Sequence, residues 1–282
     1  MPKQYPDFIF ESPGPWCTYR NKALHKIEGS APTGSEPPVA HLLDEQQKIA
    51  SSQHSHVCKA VLNNGGERLS VYFKGMDFKS LRDAIKQQFR KSRAIKAFEA
   101  ELLLQSLGFS TPTTLLTGWR QRLFFKDSFF TLSAALVNYN DLYTTVAQLK
   151  EQSNSQKRAF IEQLAATIAR MHNENIGHGD LRAGNVMCQQ GGDWKFSFLD
   201  NERTRQYTKL PENIRIKNLV QLNLLFNPVI SKADRQRFFN HYSALCYGQT
   251  NKDLLSKVID KTRKRLKIML DKKKIGVADL WL

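Results

Sequence analysis

The chain has 282 residues, with 42 Lys and Arg against 26 Asp and Glu, which leaves a net charge of +16 at neutral pH. Apolar residues at 41% and aromatics at 10% supply a sizeable core, so global disorder is excluded, and the length fits one two-lobed domain or two small ones. The surplus charge favours polyanionic company such as nucleic acid, anionic lipid headgroups or phosphorylated substrates, and says nothing of the fold.

Along the chain, residues 1–45 are rich in turn formers, among them Pro13-Gly14-Pro15 and Gly34-Ser35-Glu36-Pro37-Pro38, and read as an irregular leader. The runs Val57–Leu62 and Leu69–Lys74 flank Asn63-Asn64-Gly65-Gly66, whose residues accept positive φ, and predict a β-hairpin. A helical pattern follows from about Ser80 to Leu107, with Leu81, Ile85 and Phe89 and then Ile95, Phe98 and Leu102 on its apolar stripe, ended by Gly108. A strand pair is expected at Thr113–Thr117 and Arg122–Phe125. The apolar run behind it is too short for the ~20 residues of a membrane-spanning helix. From Gln156 onward helices dominate, Phe160, Leu164, Ile168 and Met171 marking an amphipathic one. Strands first and helices after predict an α+β protein, with an N-terminal β-rich part over 46–140 and a helical part over 141–282.

Other classes lose ground on the same reading. The N-terminus lacks the basic-then-apolar design of a secretory signal. Cys17, Cys58, Cys188 and Cys246 stand far apart, without zinc or redox spacing, as expected of reduced thiols in a cytoplasmic protein. Neither zinc-finger spacing nor an RNA-recognition aromatic signature supports a nucleic-acid partner.

The chemistry-bearing stretch is Ile176-Gly-His178-Gly-Asp180-Leu-Arg-Ala-Gly-Asn185, followed by Phe196-Ser-Phe-Leu-Asp200. His-x-Asp-x-x-x-x-Asn and then an apolar strand ending in Asp is the pattern of kinase-like phosphotransferases. One Asp must accept a hydroxyl proton beside the γ-phosphate. Asn185, and Asp200 from the adjacent strand, are the hard oxygen ligands that Mg²⁺ requires. Upstream, Lys74 ends a β-strand, where a kinase holds the lysine that contacts the α/β phosphates. Its acidic partner belongs on the next helix. Glu99 and Glu101 both qualify, and Glu99 is preferred because Leu103 and Leu107 follow it at i+4 and i+8.

These segments resemble the lipopolysaccharide core kinases, the Kdo and heptose kinases related to eukaryotic-type protein kinases. The residues that carry the resemblance are Tyr72-Phe73-Lys74, Ser92–Glu99, Leu107–Pro112, His178–Asn185, Phe198–Arg203 and Arg215–Asn223, spanning roughly residues 55 to 245. The resemblance implies a two-lobed protein-kinase-like fold, with a small β-rich N-lobe and a helical C-lobe. It also implies ATP and Mg²⁺ as cofactors and phosphorylation of a Kdo or heptose hydroxyl in the inner core of lipopolysaccharide, on the cytoplasmic face of the inner membrane. Carried over, Asp180 is the catalytic base, Asn185 and Asp200 are the metal ligands, Lys74 holds phosphates, Glu99 orients Lys74, and His178 braces the catalytic loop.

The pattern departs from protein kinases in three places. Asn201-Glu202 replaces Phe-Gly, no Ala-Pro-Glu segment follows, and Asn218 stands where a buttressing acid is expected. The stretch expected to cover the phosphates, Ser51–His56, has no glycine. Kinases of another small molecule or of a protein, and an ATP-binding pseudokinase or scaffold, are the competing readings. Basic clusters over Lys79–Lys96 and Lys257–Lys274 suit a lipopolysaccharide or lipid A precursor as partner and an anionic membrane surface beside it.

Overall fold

The computed structural model describes residues 3–12, 14–24, 36–49, 55–76, 91–122, 125–225 and 227–272. The predicted helix before Lys91, most of the Lys79–Lys96 basic cluster, and Ser51–His54 of the expected phosphate-covering loop lie outside the described residues. The chain divides into two units, one of residues 1–106 and 111–137, the other of residues 107–110 and 138–282.

The first unit contains Phe8–Glu11 (β1), Trp16–Asn21 (β2), Leu43–Ile49 (β3), Ser55–Asn64 (β4), Glu67–Met76 (β5), Arg93–Ser106 (α1), Thr114–Arg122 (β6) and Phe125–Ala134 (β7). The strands form one seven-stranded antiparallel sheet in the order β1-β2-β6-β7-β5-β4-β3. The predicted hairpin is β4–β5, in which Asn64 pairs with Glu67 and Gly65 and Gly66 take φ of 61° and 94°. The irregular leader is corrected. β1 and β2 pair with each other and β2 then joins β6, so residues 8–11 and 16–21 belong to the sheet.

Strand alternation sorts the chemistry in this sheet. Val71 and Phe73 point to one face, where Ala60, Leu62, Leu116, Phe130, Leu132 and Trp16 bury them. Lys74 and Met76 therefore project from the other face, where Met76 packs with Phe129 and with Ala94 of α1. On α1 the buried stripe runs Ala94, Phe98, Glu101, at i, i+4 and i+7, so it passes through Glu101 and leaves Glu99 off to one side. Phe98 is closed in by the N-terminal segment, with ring centroids of Phe8, Tyr5 and Tyr19 at 4.6, 4.9 and 5.9 Å.

The second unit holds Asn140–Asp141 (β8), Leu142–Gln148 (α2), Asn154–Asn173 (α3), Ile176–Gly177 (β9), Val186–Gln189 (β10), Lys195–Phe198 (β11), Arg205–Gln206 (β12), Glu212–Asn223 (α4), Lys232–Tyr247 (α5) and Lys252–Asp271 (α6). Capping boxes start α3, through Ser153 and Gln156, and α5, through Ser231 and Asp234. Phe160, Ile161, Leu164 and Ile168 of α3 are buried, as are Phe239 and Tyr242 of α5. The three-stranded ribbon β11-β10-β8 lies in this unit, and so does the β12–β9 pair.

Phe98 is fully buried, so Phe98→Ala opens a cavity at the junction of α1 and the N-terminal hairpin and is expected to destabilise the protein by about 3–5 kcal/mol. Urea unfolding measures this, and a loss below about 1 kcal/mol would mean that the hairpin does not anchor α1.

Candidate active site

The loop that carries the motif begins where α3 ends. Asn175, in the left-handed region at φ 59°, turns the chain into β9, and His178 follows with no solvent exposure. The Asp180 N–H donates to His178 Nδ1 over 3.1 Å, and His178 Nε2 lies 3.1 Å from the Leu199 carbonyl. An N–H only donates and a carbonyl only accepts, so the ring is neutral with its proton on Nε2. Burial holds its pKa down at about 4, against the opposing pull of the Leu199 hydrogen bond and of the Asp180 and Asp200 charges. His178 thus binds backbone on both sides. It bridges the Asp180 loop and the segment entering Asp200. Gly179 permits this close approach, because a Cβ there would stand 1.9 Å from Arg203 Cβ and 2.7 Å from the Arg203 carbonyl carbon.

A short hairpin explains the fifteen residues that separate Asn185 from Asp200. β10 and β11 pair antiparallel with Val186 opposite Phe198, and the Leu199 N–H donates to the Asn185 carbonyl over 2.9 Å. The two metal-ligand candidates therefore leave adjacent strand ends. Asn185 Nδ2 donates to the Asp180 carbonyl over 2.8 Å, which turns the amide oxygen the other way. Asp200 is held at φ 55° and ψ 49°, a left-handed conformation that costs an ordinary residue about 1–2 kcal/mol. Buried Asn201 fixes that turn by donating to the Phe198 carbonyl and accepting from Thr204.

Among the described residues no group of three or more His, Cys, Asp or Glu stands together to form an all-protein metal cage. An amide oxygen and a carboxylate are instead the donor set for Mg²⁺, which keeps waters and shares phosphate oxygens. The residues present fit that ion.

One side of α4 grips the loop. Lys217 Nζ donates to the Gly179 carbonyl over 2.6 Å. Asn218, fully buried, accepts the His178 N–H over 3.1 Å and donates to the His178 carbonyl. Gln221 accepts the Leu181 N–H over 3.1 Å and donates to Asp180 Oδ1 over 2.7 Å. Asp180 Oδ2 receives Arg182, whose Nε lies at 2.9 Å. The amide at 218 therefore does the buttressing expected of an acid. Lys217 and Gln221 escaped the sequence reading, although with Asn218 they sit at i, i+1 and i+4 on one face, the spacing that would have flagged them.

In the first unit the structure does not bring Glu99 to Lys74. Glu99 takes Lys91 at 2.6 Å and the Tyr5 hydroxyl at 2.9 Å, and those partners hold its pKa low against the desolvation that would raise it. Glu101 is the acid that feels the charge of Lys74. It is buried, accepts the Thr114 hydroxyl, and is pushed up to about 7 by desolvation, with Thr114 and Lys74 pulling it down. Ala94 and Phe98 set the helix phase, which puts Glu101 on the buried stripe and leaves Glu99, the acid preferred from Leu103 and Leu107, beside it.

A model of the lipopolysaccharide kinase (Kdo/WaaP) family matches residues 43–242. The chain belongs to that family. Among solved structures, WaaP in complex with acyl carrier protein shares the fold, with a TM-score of 0.59 at 18% identity over 80% of this chain and 90% of the other. No curated protein matches. This kinase is accordingly a phosphotransferase that acts on sugar hydroxyls of the lipopolysaccharide core, and the expected α+β fold with a β-rich N-terminal part and a helical C-terminal part is the one observed.

The raised pKa of Glu101 has a thermodynamic consequence. An unfolded glutamate ionises near 4.5 and the folded one near 7, so the stability carried by the protonated form is present below pH 4.5 and lost as pH rises through 7. The loss is on the order of 3 kcal/mol. Denaturant unfolding at pH 4.5, 6 and 8 should show this decline in the wild type and a flatter profile in Glu101→Gln. Parallel profiles would sink the assignment.

Proposed function

We infer that this kinase transfers the γ-phosphoryl group of ATP to a Kdo or heptose hydroxyl of the lipopolysaccharide inner core. The observation that carries the reading is the convergence at one loop of a carboxylate, Asp180, with Asn185 and Asp200 on adjacent strand ends. In this reading Asp180 accepts the proton of the acceptor hydroxyl as the hydroxyl attacks in line. Asn185 and Asp200 hold Mg²⁺, which when bound neutralises charge on the phosphate oxygens. Lys74 contacts the α/β phosphates, and Glu101, in place of Glu99, orients it. His178 keeps the Asp180 and Asp200 segments in register.

The surface supports work beside an anionic membrane on the cytoplasmic side. Along α6, Lys261, Arg263, Lys264, Arg265 and Lys267 are exposed, as is Ile268, and cations near such a surface contribute about 1 kcal/mol each. Among the described residues no helix is long and apolar enough to cross a membrane, so attachment in this reading is peripheral.

An acyl carrier protein is a second partner in this proposal, prompted by the complex in which WaaP was solved. A cavity of about 290 Å³ in the second unit favours it: Phe160, Leu164, Leu222 and Phe239 line it, with Lys232 and Arg263 among the remaining lining residues. An apolar chain has a place there and an anionic carrier has cations to meet. Acyl-loaded carrier protein should raise the melting temperature of the kinase more than the unacylated carrier does, and equal shifts would remove this partner.

Asp180→Asn should lower kcat by about 10²–10⁴-fold in transfer from ATP to lipopolysaccharide that lacks its core phosphate, and Asp200→Asn should abolish the Mg²⁺ dependence of nucleotide binding. Wild-type transfer by either variant would overturn the reading. Mass spectrometry of lipopolysaccharide from a strain without the protein identifies the sugar through the phosphate that is lost.

A further inference from the structure

Asp180 is held by two donors of different character. On Oδ2 sits Arg182, a residue of the same loop whose side chain keeps 66% of its surface in solvent. On Oδ1 sits the Gln221 amide, which comes from a helix. The geometry points to Gln221 as a positioning residue for the general base, one that fixes the rotation of the Asp180 carboxylate so that Oδ2 is the oxygen presented to the acceptor hydroxyl. This inference rests on the role of Asp180 given above.

The orientation of Gln221 follows from its surroundings. Its Oε1 stands 3.1 Å from the Leu181 N–H, which only donates, so the oxygen must face Leu181 and the NH₂ group must face Asp180. The Asn218 amide adds a long contact of 3.5 Å to the same Oε1. One side chain therefore holds both the backbone just after the base and one oxygen of the base itself. The two anchors leave little freedom, since Gln221 rides on α4, which is also tied to the loop through Lys217 and Asn218.

Arg182 does not fill this role. An exposed ion pair is worth about 0–1 kcal/mol, and a side chain two positions along the same loop gives the carboxylate no anchor on a separate element. Its contact on Oδ2 is the one that a hydroxyl can replace. Gln221 is neutral, so it orients the carboxylate without the Coulombic pull that a cation would exert against proton acceptance. The other charged or titratable groups around this loop are His178, Asp200, Tyr143 and Arg203, with Lys217 from α4, and it is Gln221 that donates to Oδ1.

Steady-state kinetics of the full chain, with ATP and lipopolysaccharide lacking the core phosphate, test the role through Gln221→Leu, Gln221→Glu, Asp180→Asn and the double variant Asp180→Asn/Gln221→Leu. Gln221→Glu keeps the acceptor for Leu181 but replaces the donor to Asp180 with a second carboxylate, so it separates loop anchoring from positioning of the base. Both single Gln221 variants should lose about 100-fold in kcat with KM for either substrate unchanged, the scale that a misplaced reacting group costs. In the Asp180→Asn background, Gln221→Leu should cost nothing further, because the two residues act as one unit. Near-wild-type kcat in Gln221→Glu beside a crippled Gln221→Leu would reduce Gln221 to a loop anchor. Multiplicative losses in the double variant would also overturn the proposal. If Asp180→Asn itself keeps wild-type kcat, the functional reading falls first, and the two failures stay distinct.

Discussion

The buried amide of Asn218 has its orientation dictated by the backbone it holds, and the rest of the catalytic loop depends on that contact. Its oxygen faces the His178 N–H and its nitrogen faces the His178 carbonyl. His172 Nε2, 3.2 Å from the same oxygen, must then be a donor, and a neutral His172 has Nδ1 left to accept from the Tyr242 hydroxyl at 2.8 Å. Tyr242 in turn accepts from Arg215 over 2.6 Å. Direction thus propagates from Arg215 through Tyr242, His172 and Asn218 to the backbone of His178, and every member is satisfied. Burial holds the pKa of His172 down at about 3, helped by the nearby Arg215 charge, so the chain keeps one protonation pattern across the physiological range.

That network accounts for the amide where protein-kinase reasoning expects an acid. A carboxylate at 218 would accept the His178 N–H equally well, but it would leave the His178 carbonyl with no donor, at about 1–3 kcal/mol. It would also place an ion beside a neutral His172. The buttress expected of an acid at 218 is supplied by the two-way contact of the amide. The same helix face carries Lys217 and Gln221, so four consecutive residues, His178 to Leu181, are fixed from a single element by three side chains at one helical spacing.

How much of this was legible beforehand depends on how local each constraint is. Asp180, Asn185 and Asp200 could be read because one loop and one hairpin set their spacing, and both are written in consecutive residues. The β4–β5 hairpin was legible for the same reason, through Gly65 and Gly66. Glu101 was not, because the phase of α1 is set by what Phe98 meets, and it meets Tyr5, Phe8 and Tyr19, 79 to 93 positions away. Nor was the N-terminal hairpin: β1 has 4 residues and β2 has 6, too short for periodicity to show, and the Pro-Gly-Pro between them reads as loop on its own. Gln221 was hidden differently, as an ordinary polar residue on a helix whose partner lies 41 positions away.

The net charge of +16 separates in the same way. Several cations near the catalytic loop are committed to internal partners: Arg182 to Asp180, Lys217 to the Gly179 carbonyl, Arg215 to Tyr242. They organise the site, and of the three Arg182 is the one whose partner carries the opposite charge. The α6 cations point outward, with Leu254, Val258, Thr262 and Leu266 buried beneath them. A helix with this division has a fixed inner face and an outer face that can hold a polyanion by its charge alone, whatever its chemical identity. Specificity for a sugar hydroxyl must then come from the few neutral and acidic groups of the loop. In the function proposed above, surface charge would place the enzyme beside its polyanionic substrate, while the amides of Asn218 and Gln221 would keep Asp180 in position for an acceptor.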